Sequence, residues 1–319
     1  MLRLDQDKVR GVVFGVAVGD AIGYPVEFLS RDQIREVCGG SLQGYLRLVD
    51  GVAEYSDDTQ MFLAVLRGLL RAIGGKLSVD WDSIHLAVAE ELIAWGKSSE
   101  NNRAPGAACM FGVHNLATGV HWREAGKVHA GGCGAAMRSM AYALVFDVQA
   151  AWETARAHAA MTHRSPSGEA SSAAVAAITG LLLRGKKPTD ACLQGHIIAR
   201  RIDPLTGQLI WEAIEASQEI LEGSLSGVGP RMVELLDKWR GWTGHEAVAA
   251  SVLCFLVSRS YREAVLWAVN SSGDSDSLGA ITGAFAGAHW GFASIPHAWV
   301  GRIENRLGLE KIVESACEG

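Results

Sequence analysis

Two apolar stretches carry glycine at every fourth position. Between Val9 and Tyr24 these are Gly11, Gly15, Gly19 and Gly23, and late in the chain they are Gly279, Gly283, Gly287 and Gly291. Glycine weakens an isolated helix by about 1 kcal/mol relative to alanine, so eight of them in helical register require a compensating contact. Small residues four apart share a helix face and let a second backbone come close. The pattern predicts two central, tightly packed helices, with each other as candidate partners, that draw the two ends of the chain together.

Elsewhere apolar positions also recur at helical spacing. Residues 58–72 form one such run, with Arg67 and Arg71 toward its C-terminal end and Gly74-Gly75 as a stop. Further runs cover 80–96, 170–183, 208–222 and 246–258, and the polar segment 97–106 has turn composition. No sustained alternation marks a strand, and no unit of about 20 to 50 residues repeats. The expected fold is all-α, a compact bundle of about a dozen or more helices. Neither a linker nor a charge block divides the 319 residues, so one domain over 1–319 is expected.

Composition narrows the class. Hydrophobic residues at 49% and charged residues at 20% describe a globular chain with ample core. A net charge of -6 and a pI near 5.9 provide no broad basic field for nucleic acid, although a local basic patch is compatible with them. The six cysteines are scattered without a C-x-x-C pair, which fits free thiols in a reducing compartment and a cytosolic location. Arg3, Lys8 and Arg10 before Val12–Val18 have the outline of a signal peptide, but that run is short, contains Gly15 and meets Asp20. Residues 277–301 have no formal charge, yet Ser277, Thr282, His289, Ser294, Pro296 and His297 favour a buried helix over a membrane span.

Candidate chemistry gathers at helix starts. Residues 270–288 place Asp274 and Asp276, with Ser272, Ser275 and Ser277, just before the second glycine-striped helix. In extended backbone a D-x-D pair faces one way and offers hard oxygen ligands to a divalent cation. Asp and Ser are also good helix caps, which is the plainer explanation of that stretch alone. Residues 55–61 repeat the composition, with Ser56, Asp57, Asp58 and Thr59 before another apolar helix. Two such clusters could converge on a two-metal site that neither completes alone.

Three other features are candidates. Pro25 ends the first helix and leaves Glu27 on a loop. Gly131, Gly132, Cys133 and Gly134 precede the run 135–144, read as a helix, where backbone N–H groups could hold an anion, although such a cluster is also a plain tight turn. Arg138 lies about one turn in, as either a phosphate ligand or a buried structural partner. No base is identifiable beside Cys133, which reads as a small filler.

In order along the chain, G-V-A-V-G-D-A-I-G-Y-P-V-E-F (15–28), S-D-D-T-Q-M (56–61), G-C-G-A-A-M-R (132–138), T-H-R-S-P-S-G (162–168) and G-D-S-D-S-L-G-A-I-T-G-A (273–284) resemble the ADP-ribosylglycohydrolase family. The resemblance spans about residues 10–291 and implies the same all-α fold. It implies two Mg2+ or Mn2+ ions held by Ser56, Asp57, Asp58, Asp274, Asp276 and Ser277, with Glu27, Asp58 and Asp274 as catalytic residues. It also implies a diphosphate cradle at Gly131–Gly134, a substrate contact at His163, and a loop N-R-x-P-G (102–106) along the cleft. Many relatives have Thr where Ser56 and Ser277 stand, Gly at Ser272, and Ser or Asn at Cys133; the hydroxyl swaps keep an oxygen ligand. The implied reaction releases ADP-ribose from a mono-ADP-ribosylated protein, with ADP-ribosyl-arginine as the leading linkage and no membrane partner. ADP-ribosyl-serine, a modified nucleic acid end, and a non-catalytic ADP-ribose-binding role are the alternatives.

Overall fold

The computed structural model describes residues 4–39, 48–74, 80–223 and 225–318. Helices dominate them, as the spacing predicts; the strands are two short pairs. Leu48–Val49 pairs with Val52–Ala53 antiparallel, and Lys127–Val128 pairs with His163–Arg164 in parallel. Neither pair is among the predicted elements, because two-residue strands have no periodicity to read.

The two glycine-striped helices, Gln6–Gly23 and Ser275–Trp290, pack antiparallel against each other at the centre. A Cβ added to Gly11, Gly15, Gly19 or Gly23 would run into the carbonyl of Gly287, Gly283, Gly279 or Ser275 respectively. The backbones therefore meet without side chains between them, and this contact offsets the low helix propensity of both stripes. Tyr261 closes the same seam by donating its hydroxyl to the Gly15 carbonyl at 2.9 Å.

Around this pair lie Asp57–Ile73, Pro166–Leu183, Gly244–Leu256 and Tyr261–Val269, all with largely buried faces. The predicted runs at 58–72, 80–96, 170–183, 208–222 and 246–258 correspond to Asp57–Ile73, Trp81–Gly96, Pro166–Leu183, Pro204–Glu222 and Gly244–Leu256. Gly74 caps the first of these, while Gly75 and Arg3 lie outside the described residues. The uncharged segment 277–301 is not one span: the helix ends at Trp290, where Gly291 turns with φ 78°. Gln6–Val26 is long and apolar enough to cross a bilayer, but 83% of that window is buried inside the protein.

One local expectation fails. The run 135–144 is not a regular helix; it holds a 3-10 turn at Cys133–Ala135, irregular turns, and a single helical turn at Met140–Ala143. Arg138 explains much of this, because its buried guanidinium donates to the carbonyls of Gly134 and His158 and to the Thr162 hydroxyl. It is a structural partner, and any anion at Gly132–Gly134 would meet turn N–H groups without a long helix dipole behind them.

Candidate functional site

Packing Gln6–Gly23 against Ser275–Trp290 sets the start of the second helix beside the end of the first, and Asp57–Ile73 begins at the same place. Ser277 Oγ donates to Asp58 Oδ2 at 2.7 Å, so the two hydroxyl-carboxylate clusters meet directly. Carboxylate oxygens of Glu27, Asp274 and Asp276 lie within 4.8 Å of one another. These residues share a cleft of about 260 Å³ with Asp57, Asp58, Gly132, Cys133, Gly134, His163 and Ser277. Ala104 and Gly106 of the 102–106 loop also line it, and the Gly106 N–H approaches Asp57 Oδ2 at 3.5 Å.

The means of convergence differs from the expected extended D-x-D. Asp274 is the N-cap and Asp276 stands in the first helical turn, so the helix start, and not a strand, turns both inward. Only one of the three nearby serines joins the carboxylates: Ser275 Oγ donates to Gly23 O at 3.0 Å and Ser272 Oγ to Asp237 at 2.7 Å. Ser56 caps its helix by accepting from the Asp58 N–H at 3.2 Å, so the capping role and proximity to the acids coexist. Gly131 is not among the cleft-lining residues, and its carbonyl accepts from the Gly244 N–H at 2.9 Å. Cys133 is more than a filler, since its thiol donates to Asp274 Oδ2 at 3.1 Å.

Asp20 is the residue left unassigned by the sequence pattern. It is fully buried in the first helix and accepts from Ser56 N–H at 2.8 Å, Thr59 N–H at 2.9 Å and Thr59 Oγ1 at 2.6 Å. A lone acid inside the apolar run 11–23 is the signal that could have found it, because a buried carboxylate must be partnered. Asp20 fixes the helix start that presents Asp57 and Asp58. Asp20→Asn has one acceptor oxygen for two acceptor positions, so even with that oxygen on Thr59 its NH2 faces the Ser56 N–H donor. It should cost about 2 to 3 kcal/mol of stability and about 10- to 100-fold in cation affinity, readable by denaturant melts and metal titration.

The electrostatics are one-sided. No Lys or Arg is among the described residues lining the cleft. Loss of water, the largest cause in every case, pushes Asp20 up to about 6 and Glu27 and Asp57 up to about 8. It also raises Asp58, Asp274 and Asp276, and neighbouring carboxylates add repulsion at Glu27, Asp57, Asp58 and Asp276. Buried acids without basic partners are costly, and a hard divalent cation suits this all-oxygen set. The donor chemistry thus fits a metal.

These folded-state values lie above the unfolded carboxylate range, so their contribution to stability is complete in acid and is lost as pH rises through about 8. Buried histidines with lowered values, such as His158 and His163, act in the opposite sense below about 6.5. The buried thiols of Cys109, Cys133, Cys192 and Cys254, whose values are raised, add a loss of the same sign as the carboxylates at about pH 9, so the carboxylates are read between about pH 7 and about 8. EDTA-treated protein should lose Tm across that window, and Mg2+ or Mn2+ should restore it by a margin that grows with pH. A flat Tm, indifferent to both ions, would refute this electrostatic account.

His163 is 2% exposed and its Nδ1 lies 2.8 Å from Thr162 Oγ1. Thr162 Oγ1 already accepts from Arg138 at 2.8 Å and is fully buried, so its own hydrogen is satisfied by donating to His163 Nδ1. That leaves the ring proton on Nε2, beside Gly132 and Gly134. Burial, then the Arg138 charge, lowers the imidazole to about 3, so it is a neutral donor throughout the ordinary pH range. Thr162→Val removes the tautomer lock; the expected result is a changed His163 ring nitrogen NMR shift and KM raised about tenfold.

An all-helical core with a buried, acid-lined cleft at the meeting point of three helix termini is the class these features define. The chain belongs to the ADP-ribosylglycohydrolase family, whose model matches residues 2–319. It is thus an enzyme of the class that hydrolyses glycosidic bonds to ADP-ribose. It is 27% identical to the ADP-ribosyl-[dinitrogen reductase] glycohydrolase of Rhodospirillum rubrum, over 95% of this chain and 92% of that one. It is 25% identical to the ADP-ribosylarginine hydrolase Tri1 of Serratia proteamaculans, over 97% of this chain and 78% of the relative. A solved structure described as an ADP-ribosylglycohydrolase-related protein complex has the same fold, with a TM-score of 0.70, 23% identity and 98% of both chains covered.

Proposed function

We propose that the chain, acting as one catalytic domain, hydrolyses the N-glycosidic bond of ADP-ribosyl-arginine on a protein. Two Mg2+ or Mn2+ ions would be held by Asp57, Asp58, Asp274 and Asp276 with the hydroxyls of Ser56 and Ser277. The observation that carries the reading is the direct Ser277–Asp58 hydrogen bond at 2.7 Å, which joins two clusters 219 residues apart into one site. When bound, such ions supply Lewis acidity to a substrate oxygen and to water.

The protein's own residues account for the remaining requirements. Glu27, next to Asp274 and Asp276 at the open side of the cleft, is placed to take a proton from water attacking the ribose anomeric carbon. The glycosidic bond breaks, the guanidine departs with a proton, and ADP-ribose is released. Asp58 and Asp274 hold the acidic centre in register through Ser277 and Cys133. N–H groups of Gly132, Cys133 and Gly134 would meet the diphosphate, Gly131 supporting them from behind, while His163 Nε2–H donates to a substrate oxygen.

The arginine linkage is supported by the Serratia relative's name and by the acidic cleft, which suits a cationic leaving group. Cys109, Cys133, Cys192 and Cys254 are free thiols, which fits a reducing cytosol. Matched peptides carrying ADP-ribosyl-arginine or ADP-ribosyl-serine test the reading. Metal-dependent release of ADP-ribose from the arginine peptide, abolished in Asp274→Asn, is expected; release from the serine peptide alone would reassign the linkage, and release from neither would overturn the proposal.

A further inference from the structure

Two large aromatic side chains stand exposed at the mouth of the acidic cleft. Phe28 is 55% and Trp242 54% accessible, both line the cleft, and their ring centroids are 5.0 Å apart at an interplanar angle of 49°. Exposed apolar residues scattered singly mean little, but a paired set facing a polar cavity is different.

The backbone holds both rings in place, at some cost for Phe28. Phe28 has φ 61°, a conformation bulky residues rarely adopt, and its N–H is anchored to Gly273 O at 2.9 Å, one residue before Asp274. Trp242 rides a loop tied at both ends: Asp274 N–H donates to Arg240 O at 2.8 Å, and Gly244 N–H donates to Gly131 O at 2.9 Å. The pair thus spans the gap between the carboxylates and the glycine turn. Neither ring is among the described residues packed against the core.

We propose that Phe28 and Trp242 form a recognition site for the planar guanidinium cation of the modified arginine. This rests on the reading that the cleft hydrolyses an ADP-ribosyl linkage, and it specifies what selects the leaving group. Glu27 immediately precedes Phe28, so the rings border the end of the cleft where the scissile bond would lie. Every charged side chain lining that cleft is acidic. A guanidinium is flat and weakly hydrated and stacks on aromatic faces, whereas a lysine ammonium is compact and strongly hydrated and a serine oxygen offers neither charge nor plane.

The test compares metal-loaded wild type, Phe28→Ala, Trp242→Ala and Trp242→Phe on the two matched ADP-ribosyl peptides. In the alanine variants kcat/KM should fall about tenfold more on the arginine peptide than on the serine peptide, mainly through KM, and Trp242→Phe should recover most of the loss. Equal losses on both peptides, or none, overturn the proposal. Wild-type release from serine alone overturns it while leaving the hydrolase reading intact. A binding measurement decides the matter even if neither linkage is cleaved. The unmodified arginine peptide should quench the part of the tryptophan emission that Trp242→Phe removes, and its lysine counterpart should do so less; equal or absent quenching overturns the proposal.

Discussion

Glu27→Gln should lower kcat for ADP-ribose release by about 10²- to 10⁴-fold while leaving the fold and substrate KM nearly intact. The side chain is not part of the core: it sits on the turn after Tyr24–Val26, at the open side of the carboxylate group. Glutamine keeps its volume and one acceptor oxygen but cannot take a proton from water. Glu27 is also the acid whose value, at about 8, burial and the charges of Asp274, Asp57 and Asp20 raise. A bound divalent cation would oppose those charges and lower it toward a working base. A rise in KM with kcat unchanged would instead make Glu27 a binding residue, and kinetics at saturating metal separate the two outcomes.

Gly19→Ala should be among the most damaging single methyl additions at the described glycines. The added Cβ would overlap the Gly279 carbonyl oxygen and lie 2.5 Å from its carbon, with backbone on both sides and no flexible side chain to yield. Alanine improves helix propensity by about 1 kcal/mol, and the overlap should cost about 3 kcal/mol or more beyond that, because overpacking against backbone forces the two helices apart. Since those helices carry Asp20 and Asp274 respectively, activity should fall with stability. Gly180→Ala is the control: inside Pro166–Leu183, its Cβ would meet only side chains, at 3.5 Å or more, so stability should hold or rise. Thermal melts of both variants check the contrast; a Gly19→Ala protein as stable as wild type would mean that the stripes are not in backbone contact.

The glycine stripes show why so much of this fold is legible in sequence. A four-residue spacing of the smallest residue inside an apolar helix has few physical explanations, and the pairing of Gly11, Gly15 and Gly19 with Gly287, Gly283 and Gly279 is the one realised. Asp57, Asp58, Asp274 and Asp276 are legible for a similar reason, since hydroxyls and acids crowd each helix start. What a pattern cannot carry is the third dimension. Asp20 acts through Ser56 and Thr59, 36 and 39 residues away, and its role appears only when the helices are docked. The 135–144 run has helical composition, but the buried Arg138 guanidinium claims the Gly134 carbonyl, which a helix over that run would use. The exposure of Phe28 and Trp242 beside the cleft is likewise invisible in the sequence.

The central claim, that carboxylates from both ends of the chain form one binuclear catalytic centre, is tested most directly by titrating Mn2+ into EDTA-stripped protein while ADP-ribose release from the ADP-ribosyl-arginine peptide is followed. The account predicts negligible release without metal and a rate that levels off only when two ions per chain are bound. Full activity in EDTA, or a plateau at a single bound ion, would contradict it.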